Sequence, residues 1–108
     1  IASSATPYQI EPLANEYEIE HLICTKPRVR NGRLTGGLDG APLWGTGKAN
    51  GVKAFAKKRK IKLGQSFGYA NGNEDIAFLD ALGFPSAVQA QTQLAKTAQT
   101  TMYTVRLV

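Results

Sequence analysis

The stretch Ser66-Phe-Gly-Tyr-Ala-Asn-Gly-Asn-Glu-Asp-Ile-Ala-Phe-Leu-Asp-Ala-Leu-Gly-Phe-Pro-Ser-Ala-Val-Gln89 decides the fold class. Ser66 to Ala70 reads as a short strand and Asn71-Gly72-Asn73 as a tight turn. Glu74 to Leu82 reads as a helix that turns Ile76 and Leu79 inward, with Ala77 or Leu82 beside them. Gly83 is placed to cap that helix, and Ser86 to Gln89 reads as the next strand. Strand, turn, helix and strand in such close succession are the grammar of an α/β layered domain with a mostly parallel sheet.

Working outward, the same grammar continues. Thr92 to Ala98 reads as a short helix and Met102 to Val108 as a closing strand. On the other side, Gly45-Thr-Gly-Lys48 introduces the longest helix, Lys48 to Lys60, with Val52, Phe55 and Ala56 as its apolar stripe. Before it, Val29-Arg-Asn-Gly-Arg-Leu-Thr35 has the pattern of a hairpin, because Asn31-Gly32 suits a type I′ turn. This hairpin, residues 28–36, is an insertion in the α/β pattern. Gly36, Gly37 and Gly40 around Asp39 read as a loop. His21 to Thr25 reads as a buried strand that Pro27 limits. Pro7 suits the first turn of a helix capped by Thr6. Ile10, Leu13, Ala14 and Tyr17 share one face of that helix, and Pro12 shortens or kinks it. Ile1-Ala2 reads as the end of a strand whose start lies upstream.

The composition bounds the function. A chain of 108 residues makes one domain, and 43% apolar residues against 19% charged ones exclude simple disorder. A net charge of +5 permits an anionic partner without requiring one. Cys24 is the single cysteine and His21 the single histidine, which excludes an internal disulfide and a clustered thiolate zinc site. No apolar run is long enough to span a membrane, and no leader pattern opens the chain. We therefore expect a cytoplasmic protein with no membrane partner. The chain opens on Ile1 rather than methionine, which fits a processed product or part of something longer.

Four groups of residues carry candidate chemistry. Gly45-Thr46-Gly47-Lys48 is too tightly spaced for a Walker phosphate loop, and Ala49 stands where that loop needs Ser or Thr. Lys48 at a helix start opposes the positive end of the helix dipole, a placement that an anion shared between them would relieve. A solvated lysine after a glycine-rich loop is the competing reading. Asp75, after a strand end, has the hard oxygen ligands a divalent cation prefers, and Asn71 offers a carbonyl oxygen beside it. Both also serve as turn and helix-capping residues. Ser3, Ser4 and Thr6 bring hydroxyls to the end of the first strand, for a phosphate oxygen or for capping. Lys53, Lys57, Lys58, Arg59, Lys60 and Lys62 form a basic run that could neutralise nucleic-acid phosphates. Trp44 and the tyrosines do not interleave with it, so a solvated helix face is favoured over nucleic acid.

Taken together, these segments resemble the haloacid dehalogenase superfamily, in particular its phosphoserine-phosphatase-like subfamily IB. Ser3-Ser4-Ala5-Thr6-Pro7 with Ile10-Glu11-Pro12-Leu13-Ala14 is similar to the family's second motif and its helix, Ser4 falling on the hydroxyl position. Asn31-Gly-Arg-Leu-Thr-Gly36 resembles the hairpin before the third motif. Gly47-Lys48 resembles the third motif, with Lys48 as its lysine. Gly68-Tyr-Ala-Asn-Gly-Asn-Glu-Asp75 with Ile76, Phe78-Leu79 and Gly83 resembles the acidic fourth motif, and Ser86-Ala-Val-Gln89 the strand after it.

The resemblance implies a three-layer Rossmann-like core, of which this chain holds the carboxyl-terminal part as one partial domain with a small hairpin insertion. It implies a magnesium-dependent phosphomonoester hydrolase acting on a small phosphorylated molecule through an aspartyl-phosphate. Lys48 and Ser4 would act on the phosphoryl oxygens, and Asp75 and Asn71 would lie at the metal. Two departures limit this. The first motif, Asp-x-Asp, which carries the nucleophile, is absent from the chain. Asn71 replaces a metal-binding aspartate, so magnesium is expected to bind weakly or not at all here. Alone, the chain is expected to be inactive. Its open sheet edges call for the missing amino-terminal segment or another copy of the chain. A non-catalytic remnant or phosphate-binding module is the alternative, and a nucleic-acid-binding domain a weaker one.

Overall fold

The computed structural model describes residues 1–101 and 103–107. Local sequence sets several of the element starts. Thr6 precedes a helix that opens on Pro7, and the Gln9 side chain accepts a hydrogen bond from the Thr6 N–H at 2.9 Å. This helix, α1 (Pro7–Glu16), follows a two-residue strand, β1 (Ala2–Ser3), and runs through Pro12. Tyr8 and Pro12 both lie on its exposed side, so the hydrogen bond that proline removes is lost next to water.

β2 (Ile23–Cys24) pairs parallel with β1. The hairpin β3 (Pro27–Arg30) and β4 (Arg33–Leu38) follows. Asn31 and Gly32 both have positive φ, 51° and 74°, as a type I′ turn requires. The hairpin is longer than residues 28–36. β4 continues through Gly36 and Gly37 to Leu38, where a loop was expected, because Leu38 pairs with Pro27 across an irregularity in the ladder.

α2 (Thr46–Arg59) begins two residues before Lys48 and closes on Lys60 in the left-handed conformation. Ala49, Val52 and Ala56 form its buried stripe, while Phe55 is half-buried and meets the His21 ring, centroids 5.3 Å apart. β5 (Phe67–Ala70) follows as expected, and a 3-10 turn (Asn73–Asp75) with α3 (Ile76–Asp80) replaces the continuous helix expected from Glu74 to Leu82. β6 (Phe84–Val88), α4 (Thr92–Thr101) and β7 (Thr104–Arg106) complete the order. The expected last strand reached from Met102 to Val108, and those two end residues lie outside the described ones.

Gly83 does not act as a left-handed cap, since its φ is not positive. Its N–H donates to the Leu63 carbonyl at 2.8 Å, and a Cβ there would collide with the Gly64 carbonyl. Glycine is needed for this close backbone approach.

β5, β6 and β7 form a parallel sheet in that order. The parallel strands thus fall into two ladders, β1–β2 and β5–β6–β7, rather than one. Among the described residues no strand bridges them. α2 packs against both ladders' surroundings, touching β1, β2, α3 and the 3-10 turn. The main core lies where α3 and α4 cover one face of the larger sheet: Leu79, Ala87, Leu94, Ala98 and Tyr103. The Tyr103 hydroxyl donates to Asp80. Among the described residues no helix is long and apolar enough to cross a membrane.

Candidate active site

The site is built where β5 ends. Gly68 is buried against Leu82, and the strand delivers its backbone to Asn71 and Gly72. Gly72 and Asp75 bond to each other across the turn. Asp75 N–H donates to the Gly72 carbonyl at 3.1 Å, and Gly72 N–H donates to Asp75 Oδ2 at 3.3 Å. The Asp75 carboxylate is thereby fixed in a buried position. Its other oxygen, Oδ1, accepts from Lys48 Nζ at 2.6 Å. The two side chains are only 12% and 7% exposed, so this is a buried ion pair and not a surface one.

Lys48 reaches Asp75 because of how α2 starts. Gly45 has φ 57°, and the Pro42 carbonyl comes so close to Gly47 that a Cβ there would collide with it. These two glycines let the loop fold tightly under the first turn. The Lys48 ammonium then points past the Phe78 ring, 6.0 Å from its centroid. The helix dipole disfavours a cation at this end, and the anion that compensates it is Asp75. Two segments that were separate in the sequence therefore form one element, and the solvated-lysine reading does not describe Lys48.

Asn71 is exposed at the end of β5, and its carbonyl accepts from Gln91 N–H at 2.9 Å. Ser4 is exposed just beyond β1 and does not join the hydrogen bonds around Lys48 and Asp75. Ser3 Oγ accepts from the Ala5 N–H at 3.1 Å, a local turn bond. Thr6 acts in capping. The lysines and arginine of the basic run are all exposed.

One structural residue escaped sequence reading. Asn73 Oδ1 accepts from Leu94 N–H at 3.0 Å, and Asn73 N–H donates to Gln91 Oε1 at 3.0 Å. Asn73 thus caps α4 from twenty-one residues away and ties the site loop to it. Sequence signals for capping reach only across a few neighbouring residues, so nothing local marks this role.

The family model of haloacid dehalogenase-like hydrolases matches residues 1–80, which include Ser4, Lys48, Asn71 and Asp75. The chain belongs to the haloacid dehalogenase-like hydrolase family. Among relatives of this hydrolase-family chain, the phosphoserine phosphatase SerB2 of Mycobacterium tuberculosis is 29% identical over 93 residues, covering 86% of this chain and 23% of that protein. The phosphoserine phosphatase SerB1 of the same species is 27% identical over 104 residues, covering 95% of this chain and 34% of its own length. A solved protein of unknown function from Bordetella pertussis Tohama I superposes with a TM-score of 0.88 at 28% identity, over 97% of this chain and 48% of that one. A phosphoserine phosphatase in apo form shares the fold, with a TM-score of 0.74 at 19% identity over 97% of this chain and 50% of its own. The Rossmann-like α/β fold and the resemblance to phosphoserine-phosphatase-like members are borne out. The chain spans half or less of the length of each of these proteins.

Proposed function

We propose that this chain is the carboxyl-terminal part of a haloacid dehalogenase-type phosphatase that hydrolyses a small phosphomonoester through an aspartyl-phosphate. The buried Lys48–Asp75 pair carries this reading. Asp75 accepts one of the three N–H groups of the ammonium and holds Nζ in place, leaving two donors for phosphoryl oxygens. A fixed cation of this kind stabilises charge that develops on a transferring phosphoryl group without reorganising at the moment of reaction. In this reading the Ser4 hydroxyl donates to another phosphoryl oxygen once substrate is bound.

The attacking carboxylate comes from outside these residues. The chain has three aspartates, Asp39, Asp75 and Asp80. Asp39 is held by Arg28 at 2.9 Å, Asp75 by Lys48, and Asp80 accepts from Tyr103. None of them is a free carboxylate at a strand end in an Asp-x-Asp arrangement. A strand that supplies one would also find open backbone edges on the two parallel ladders. The amino-terminal segment is the partner favoured for those edges, with another copy of the chain as substitute.

The family implies magnesium, and the residues present do not make a magnesium site by themselves. Both oxygens of Asp75 are engaged, and Asn71 offers one neutral oxygen where the ion prefers carboxylates. Among the described residues no three His, Cys, Asp or Glu side chains stand close enough to hold a metal. Asn71 also supports the second reading, a remnant that binds phosphate without turnover.

One comparison separates these readings. Hydrolysis of p-nitrophenyl phosphate with magnesium is measured for the 108-residue chain and for the polypeptide at its full natural length. The proposal expects turnover only from the longer species. Turnover by neither, with phosphate binding retained, supports the remnant instead.

A further inference from the structure

At some distance along α2 from Lys48 lies a cleft of about 350 Å³, lined by neither Lys48 nor Asp75. Its floor is apolar: Ile23, Leu43, Ala54 and Phe55. That volume lies within the usual range for a small-molecule site. Its lining carries three charged side chains, Lys26, Lys58 and Asp39. Asp39 is already neutralised by Arg28 at 2.9 Å. Among the described residues neither Lys26 nor Lys58 has a carboxylate partner. The cleft therefore has an uncompensated positive lining over an apolar floor.

The direction of the cleft follows from two contacts. Phe55 meets His21, before β2, whereas Gly51 lies against Ile23 and Leu43. α2 therefore runs antiparallel to β2. Lys58, a turn beyond Phe55, stands at the end near His21, and Lys26, after β2, at the other. Lys26 and Lys58 therefore lie toward opposite ends of the lining.

We infer that this cleft binds an organic anion with an apolar body, such as a medium-chain carboxylate, at a site separate from the phosphoryl site. Burial of the chain on Phe55, Leu43 and Ala54 supplies the non-directional part of the affinity. An ammonium at the end of the cleft selects the charged head. A fully hydrated anion gains little there, and a neutral chain leaves the ammonium groups unmatched.

The test uses the polypeptide at its full natural length and the apolar fluorescent anion anilinonaphthalene sulfonate. Octanoate, octanol and inorganic phosphate are compared as competitors. Two variants are measured alongside: Lys26→Gln with Lys58→Gln, which removes the charge, and Ala54→Phe, which fills the cleft from an exposed position. We expect octanoate to displace the probe while octanol and phosphate do so at least about threefold less well. The charge variant should weaken octanoate about threefold, as loss of one exposed charge contact does. The filling variant should abolish octanoate competition, with both variants keeping the parent's unfolding midpoint. Octanoate competition unchanged by Ala54→Phe would overturn the proposal, because the ligand would then sit elsewhere. Equal competition by octanol would overturn the anionic selectivity.

Discussion

Replacing Lys48 by methionine keeps the length of the stem beside Phe78 and deletes the charge. Asp75 then remains 7% exposed with only the Gly72 N–H to satisfy it. Removing one partner of a buried ion pair costs about 3–5 kcal/mol, because the other charge is left uncompensated. Lys48 keeps some contact with water, so we take the lower end, about 3 kcal/mol. Unfolding entropy near 2.1 cal/mol/K per residue gives about 450 cal/mol/K for a folded unit about twice the length of this chain. The midpoint of the full-length protein should therefore fall by roughly 7 °C. Asp75→Ala should cost as much or more, since it leaves the ammonium facing the positive end of α2. The double variant removes both charges and leaves chiefly the Gly72 N–H unpaired, a loss of about 1–2 kcal/mol. It should be more stable than either single variant. Thermal unfolding of the four proteins by circular dichroism, at the natural full length, gives the cycle. Single shifts below about 3 °C that simply add in the double variant would refute the reasoning, because they would mean a solvated pair.

Three further outcomes follow from the same geometry. Gly83→Ala should destabilise strongly, since its Cβ meets the Gly64 backbone, whereas Gly64→Ala, facing open space, should shift the midpoint little; paired thermal scans check this. Asn73→Ala should cost about 1 kcal/mol through the lost cap on Leu94, and hydrogen exchange should rise first at the start of α4. The isolated 108-residue chain should self-associate through its open ladder edges; sedimentation over a concentration series would show this, and a compact monomer at micromolar concentration would count against it.

Elements with strong local chemistry were legible in the sequence. The Asn31-Gly32 turn, the Pro7 helix start and the β5–turn–α3–β6 order all follow from neighbours in the chain. Element ends were less so. Gly36 and Gly37 look like loop residues, yet cross-strand pairing carries β4 to Leu38. Gly83 looks like a cap, yet its role is to admit the Gly64 backbone, a contact between distant residues. The site divides the same way. Lys48 and Asp75 each had a weak local reading, and only folding through α2 brings them to 2.6 Å. The electrostatic oddity of Lys48 at a helix start was the one local sign that an anion lay opposite. The two separate parallel ladders answer to pairing over long separations, which periodicity in a single chain does not encode.

The central claim is that Lys48, fixed by Asp75, serves phosphoryl transfer. The most direct measurement is kcat/KM for p-nitrophenyl phosphate with the full natural polypeptide and its Lys48→Met variant, both well below their unfolding midpoints. The account predicts turnover by the parent and a fall of at least about a hundredfold in the variant, as loss of a transition-state charge contact produces. A Lys48→Met protein that is folded and hydrolyses the ester at the parent's rate would contradict it.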